Sequence, residues 1–481
     1  MLMNITKKLL PYLTVLCLSI PLKAQEINQE SLQGIDSLVE QAMEKYKIPG
    51  LVIGLAHSSK LEKITPYGYT DLQNLSKTKD ISNFELASLS KQFTASAIIL
   101  LQQMGKLSIE DNLSDYFPET PTHWKGIKIK HLLWHTSGLP GLFPRDSFKN
   151  KAFSGYTKVS SEKLDEMMAT NTVSKDLIIQ SIITDQLDFD PGTKHNYSDV
   201  GYLLLGLIID NITGSYRAFL ENEIFKPSGL NNTYILDQEK VIPHQSRGYS
   251  LKGGEVINIM RTWDYEIPAH FGIFSNIYDL LKWNNIISSS QLLNEESRKL
   301  LFEKGKLDNG ELVNYAGGWN VQHINGTEYI FHGGITGVNF YRLPQKDFAL
   351  IVLTNLGYNG NDYVGSLGLA TEILDYLRLM NTVNKDHVTS NGHKIVDTNN
   401  ALINKVVGEY ITIDGIEAEI YSNDDQLIFD CPAQGMKHEM AMLENEDWII
   451  LGLDKEYILK MDKKGALTSN LYRTFNKVAK R

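Results

Sequence analysis

Cysteine is almost missing from this 481-residue chain, which has only Cys17 and Cys431. Cys17 sits inside an N-terminal segment that reads as a removable signal. Only Cys431 would survive its cleavage, and that excludes an intramolecular disulfide. A basic excess is missing too: 47 Lys and Arg against 57 Asp and Glu give a net charge of −10. That balance argues against a nucleic-acid partner. Past the N-terminus no apolar run is long enough to span a bilayer. There is no Gly-x-Ser-x-Gly elbow, which removes the main competing serine-hydrolase fold. There is also no Walker A motif and no Gly-x-Gly-x-x-Gly, so no phosphate or dinucleotide cradle is expected and no cofactor.

What is present begins with that signal. Lys7 and Lys8 form a positive start, Leu9 to Leu22 is mostly apolar, and Leu22-Lys23-Ala24 offers a cleavage site before Gln25. Lipid attachment at Cys17 would need small residues just before it, and Leu16 stands there, so a plain secretory signal over 1–24 is expected. Cleavage would remove three lysines and no acid, leaving 44 basic and 57 acidic residues and a net charge of −13. The expected location is outside the cytoplasm, in the periplasm.

A composition of 42% hydrophobic, 22% charged and 10% aromatic residues suits a globular protein with a large core. Residues 25–380 mix short apolar strands with amphipathic helices. Leu51 to Ala56 reads as a buried strand and Ala349 to Thr354 as a central one. Phe93 to Met104 and Gly201 to Ile212 read as buried helices, and Ser366 to Leu379 as a closing helix. Residues 381–405 are polar and have a linker composition. Residues 406–481 show short alternating runs between Gly, Asp and Asn, the pattern of a small β barrel or sandwich.

Three stretches carry chemistry. Ser88 and Lys91 lie three residues apart where a helix opens, so both side chains share one face. A serine hydroxyl needs a neighbour to take its proton, and a lysine can do so if burial and the helix N-terminus lower its pKa. Alone, Ser-x-x-Lys is as readily a capping serine with a surface lysine. Tyr197 follows the Pro191-Gly192 turn and precedes the second buried helix; a lysine ammonium beside it would favour the phenolate. His332-Gly333-Gly334 ends an apolar stretch, and its glycines permit close approach of a strand backbone. Trp134, Trp319 and Phe340 could line an acyl pocket, with Trp319 favoured because Gly317 and Gly318 precede it. His131 and His135 have a helical zinc spacing but no third ligand, and no metal site is expected.

Together, Ser88-x-x-Lys91, Tyr197-x-Asp199 and His332-Gly333-Gly334 resemble, in order, the three active-site boxes of the serine β-lactamase and penicillin-binding-protein-like hydrolases. The likeness is strongest to the class C β-lactamase, D-peptidase and esterase branch, and it spans roughly residues 33–380. It is supported by Ile129 to Pro140, Ile224 to Thr233 and Phe274 to Trp283. The resemblance implies an α/β fold of the β-lactamase/transpeptidase type, a mainly antiparallel sheet flanked by helices, with a small C-terminal all-β domain. It implies that Ser88 forms an acyl-enzyme and that Lys91 and Tyr197 share proton transfer. The N–H groups of Ser88 and Ile335 would form the oxyanion hole, with Asp199, His332, Gly333, Gly334 and Trp319 about the substrate. Esters, D-amino-acid peptides and β-lactams are the substrates this implies.

Two positions depart from the pattern. His332 stands in place of a lysine, and Asp199 in place of an asparagine. An aspartate accepts but cannot donate; beside Lys91 it would keep the lysine protonated and disfavour a carboxylate-bearing substrate. These departures leave a second expectation, a penicillin-binding or ligand-sensing protein with little or no turnover.

Overall fold

The computed structural model describes residues 27–140, 172–176, 179, 186–379 and 395–477, apart from short gaps inside these ranges. The expected signal and most of the expected linker lie outside the described residues.

A seven-stranded sheet forms the centre. Its strands are β1 (Gly50–His57), β2 (Lys60–Asp71), β3 (Ser76–Lys77), β4 (Asn320–Ile324), β5 (Thr327–Gly333), β6 (Asn339–Leu343) and β7 (Phe348–Thr354). Their order is β4-β5-β6-β7-β1-β2-β3, and every pairing is antiparallel. Strands β1 and β7 are apolar on both faces because both faces are covered. On one face Leu51, Ile53, Leu55, Leu350 and Val352 meet helices α1 (Gln29–Tyr46) and α8 (Gly365–Tyr376). On the other, Val52, Ala349, Ile351 and Leu353 join the larger core.

That larger core is built on helices α2 (Lys91–Gln103), α3 (Ile129–Leu133), α4 (Asp199–Thr213), α5 (Tyr216–Phe219), α6 (Ile277–Ser288) and α7 (Glu295–Phe302). The two helices read as buried from their apolar runs are α2 and α4. Gly54 lets α6 lie on β1: a Cβ there would stand 2.5 Å from Ile277 Cγ1. No single described helix is long and apolar enough to cross a membrane.

The C-terminal residues form a ring of eight antiparallel strands: β8 (Gly408–Thr412), β9 (Glu417–Asn423), β10 (Gln426–Cys431), β11 (Met436–Leu443), β12 (Trp448–Ile450), β13 (Tyr457–Met461), β14 (Leu467–Ser469) and β15 (Thr474–Lys477). Each pairs with its chain neighbours, and β15 returns to β8, so the sheet closes on itself. Its interior is packed with Tyr410, Ile420, Phe429, Met440, Trp448 and Leu459 among others.

The expected linker is shorter than its composition suggests. Ile395–Val396 forms a strand paired to β11, and helix α9 (Asn400–Val406) brings Val406 into the barrel core. Two apolar residues in a polar stretch are too few to read as a strand without their partner.

Candidate active site

Ser88 lies in a 3₁₀ turn, Ala87–Ser90, that runs into α2. Three contacts hold this turn. Leu86 N–H donates to Ile273 O at 2.8 Å, Ile273 N–H donates to Ser90 Oγ at 3.0 Å, and Thr336 Oγ1 donates to Glu85 O at 2.7 Å. Ala87, just before the nucleophile, has φ +45°, a left-handed conformation that costs an L-residue about 1–2 kcal/mol.

Lys91 is wholly buried in the first turn of α2. Its Nζ donates to Ser88 Oγ at 3.0 Å and to His270 O at 2.8 Å, and forms an ion pair with Asp199 Oδ1 at 2.7 Å. Burial lowers the Lys91 pKa, and Asp199 opposes that fall. Burial works against the Asp199 carboxylate, but Lys91 and then His270 outweigh it and lower its pKa. Asp199 is the first residue of α4, where the helix dipole also favours negative charge.

Tyr197 OH donates to Ser88 Oγ at 3.1 Å, and the Lys91 ammonium lies 5.0 Å from the centre of its ring. The loop carrying Tyr197 is docked on the His135 to Pro140 stretch. Gly192 N–H donates to Thr136 O at 2.8 Å and Asn196 N–H to His135 O at 2.9 Å, while Ser198 N–H donates to His135 Nδ1 at 3.2 Å. The His135 ring then backs the Tyr197 ring, with centroids 4.3 Å apart. His131 has its own use, accepting from Lys128 N–H at 3.1 Å. Each of these imidazoles therefore spends one nitrogen on the local backbone.

The third stretch ends β5 against the nucleophile turn. Gly334 is required here: a Cβ would stand 2.5 Å from Leu86 O and 3.1 Å from Ala87 Cβ. With Thr336 bonded to Glu85, residues 334–336 lie along residues 85–87. Ile335, between the two contacts, is 48% exposed.

His332 brings no lysine-like charge to the site. It is buried, its Nδ1 donates to Gly333 O at 2.6 Å, and its Nε2 accepts from Tyr315 OH at 3.0 Å. Burial and then the Lys91 charge push its pKa down to about 4, so it is neutral at pH 7. Burial raises the Tyr315 pKa well above its ordinary value, which keeps it the donor. His332 thus fixes the end of β5 and offers no charge to a substrate. The Trp319 expectation is corrected as well. Trp319 is fully buried between Phe302 and Phe340, so it lines core and not an open pocket. Gly318, at φ +80°, turns the chain against the first turn of α2, and that turn points Trp319 inward.

Two contributors were not among the expected residues. Tyr315 stands two places before the Gly317-Gly318 pair, and the same glycines that drew notice to Trp319 could have drawn it to Tyr315. His270 acts through its backbone carbonyl, which no side-chain pattern reveals.

The sheet, the helices and the Ser88–Lys91–Tyr197 cluster define a serine β-lactamase/transpeptidase-like protein. A family model described as Beta-lactamase matches residues 35–373, and the chain belongs to that family. It is 26% identical over 432 residues to penicillin-binding protein 4* of Bacillus subtilis (strain 168), covering 85% of this chain and 89% of that one. It is 28% identical over 374 residues to protein flp of Staphylococcus aureus (strain MRSA252), covering 73% and 68%. Among solved structures it matches the octameric penicillin-binding protein homologue from Pyrococcus abyssi with a TM-score of 0.59 at 20% identity, over 92% of this chain and 100% of that one. EstCE1, a hydrolase with promiscuous acyltransferase activity, also matches at TM-score 0.59 and 20% identity, over 73% and 98%. These two structural likenesses show the fold.

Proposed function

We propose that this protein is an exported serine acyl hydrolase that turns over ester or amide substrates through an acyl-enzyme on Ser88. The observation that carries the reading is the shared contact of Ser88 Oγ with Lys91 Nζ and Tyr197 OH, at 3.0 and 3.1 Å. With Tyr197 as the phenolate and Lys91 as the ammonium, Ser88 Oγ attacks the acyl carbonyl and its proton passes to the Tyr197 oxygen. The oxyanion is held by the N–H groups of Ser88 and Ile335. The tetrahedral adduct collapses, the pair returns the proton to the leaving oxygen or nitrogen, and the acyl-enzyme remains. Water then attacks the acyl carbon while Tyr197 accepts its proton, and Ser88 is released with that proton. The Asp199 carboxylate holds the ammonium form of Lys91, so Tyr197 carries the base role and Lys91 stabilises its phenolate.

The same ion pair favours one rival, a ligand sensor that acylates slowly, because a lysine kept protonated by a carboxylate has no lone pair free to take the serine proton. Intact-protein mass spectrometry after a fluorophosphonate probe, beside a short-chain nitrophenyl ester assay, separates the two. The hydrolase reading expects labelling and turnover that both vanish in Ser88→Ala. Labelling without turnover on any ester tried would favour the sensor, and labelling unchanged in the variant would remove Ser88 as nucleophile. Export is tested by sequencing the N-terminus of the protein recovered from the periplasm, where Gln25 is the expected first residue.

A further inference from the structure

Tyr315 stands where two of the three active-site stretches meet. Its ring is fully buried, with its centroid 4.4 Å from that of His135 and 6.0 Å from that of Tyr197. Its hydroxyl reaches His332 Nε2 at 3.0 Å. The backbone that carries it is anchored on Gly305: Gly305 N–H donates to Tyr315 O at 2.8 Å, and Val313 N–H donates to Gly305 O at 2.8 Å. The hydroxyl is therefore presented to the end of β5 by a segment fixed elsewhere.

That bond decides where a proton sits. A neutral imidazole has one N–H and one lone pair. His332 Nδ1 stands 2.6 Å from Gly333 O, which can only accept, so Nδ1 carries the hydrogen. The lone pair then falls on the buried Nε2, and the Tyr315 hydroxyl, which keeps its proton, donates to it. In the other tautomer two lone pairs would face each other across the Gly333 contact. The Nδ1–H holds the carbonyl end of the Gly333–Gly334 peptide, and Gly334 N–H holds the other end by donating to Val338 O at 2.8 Å. This peptide lies against the nucleophile turn, where Gly334 packs on Leu86 and Ala87.

We propose that Tyr315 is a positioning residue for acyl transfer: its hydroxyl holds His332 in the Nδ1–H tautomer, and that tautomer fixes the Gly333–Gly334 peptide, and through it the N–H of Ile335. The inference rests on the serine acyl hydrolase reading above and adds to it a residue that acts through another side chain. A phenylalanine at 315 keeps the ring contacts and loses only the donor, which leaves Nε2 buried and unpaired. The imidazole relieves that cost by turning or by changing tautomer, and either releases Gly333 O.

The test uses the full chain with its histidines labelled with nitrogen-15, beside kinetics on nitrophenyl propionate. In wild type at pH 7 the His332 ring signals, identified by their loss in His332→Asn, should show Nδ1 protonated and Nε2 bare. Tyr315→Phe should disturb that pattern and lower kcat about tenfold while KM stays within about twofold, since a displaced oxyanion donor is felt in the transition state. His332→Asn is the discriminating background. Its side-chain amide places an N–H where Nδ1–H stood and has no atom at the Nε2 position. Adding Tyr315→Phe there should cost no more than about twofold further. A wild-type His332 protonated on Nε2 overturns the inference, and this arm stands even if no variant folds. Unchanged kcat in Tyr315→Phe overturns it, as does a fall with the imidazole pattern unmoved. An equal fall in both backgrounds also overturns it, because Tyr315 would then act without His332. Wild type with neither ester turnover nor probe labelling is a different outcome: it sinks the hydrolase reading and takes this inference with it.

Discussion

Histidines at single positions set the acid response of the molecule. His131 and His332 are both buried and pushed down to about 4, burial being the first cause for each. In the unfolded chain they titrate near 6.5. Between pH 6.5 and 4 the unfolded state therefore binds more protons, and stability falls as pH falls through that window. Each imidazole contributes at most about 1.4 kcal/mol per pH unit there. Melting temperatures of wild type and His131→Gln measured from pH 7 to 4.5 should converge toward the acid end. Parallel curves would mean that His131 is not titrating as its burial requires. Individual residues are also where reading the sequence ran furthest and then stopped. Ser88, Lys91 and Tyr197 were visible because short linear patterns bring them together. Trp319 was misjudged because a glycine pair says that the chain turns sharply, not which side the next ring takes. Tyr315 was passed over because its value lies in a bond to His332, 17 positions away.

At the scale of elements, the site is a junction between the end of β5 and the start of α2. Nothing but glycine fits at 334, because a Cβ would meet the backbone carbonyl of Leu86, which cannot swing aside as a side chain can. Gly334→Ala should push Ile335 away from Ser88 and weaken the oxyanion site. Mutational losses of one such donor run to about 10²–10³ in kcat, so a fall of at least tenfold in esterase kcat is expected. Labelling by the fluorophosphonate probe should slow in parallel. A variant with wild-type kcat would show that the Ile335 N–H is not part of the oxyanion site. The strands feeding this junction were legible as uninterrupted apolar runs, Leu51 to Ala56 and Ala349 to Thr354, since a strand buried on both faces has no polar side to show. The short strands Phe84–Glu85 and Ile273–Ser275 that brace the nucleophile turn were not legible. Two or three residues carry no periodicity.

The whole molecule holds separate hydrophobic cores, two against the main sheet and one inside the C-terminal barrel. All eight barrel strands pair with one another, and among the described residues the one additional strand paired to the ring is Ile395–Val396. Units with separate cores unfold separately unless a large interface couples them. Differential scanning calorimetry of the full chain is therefore expected to show two transitions, with the fluorophosphonate-labelled protein shifted in one of them alone. A single transition with equal calorimetric and van't Hoff enthalpies would show that the two units are coupled. That a β unit follows residue 406 was readable from its turn residues. Closure was not, because it depends on β15 finding β8 more than sixty residues back.

The sheet order also has a consequence for the time course of folding. β1 is among the first parts of the domain to be synthesised, and its partner β7 is among the last, with Leu51 set against Thr354. Their pairing closes a loop of roughly 300 residues, the kind of distant contact that makes folding slow. Until β7 arrives, β1 has β2 on one side and a bare apolar edge on the other. α1 likewise waits for α8 to complete the layer that covers that face. A nascent chain of this design stays open for most of its synthesis. Its hydrophobic centre closes only when β7 has been made, so a chaperone that shields β1 would have to hold on until Thr354 has left the ribosome.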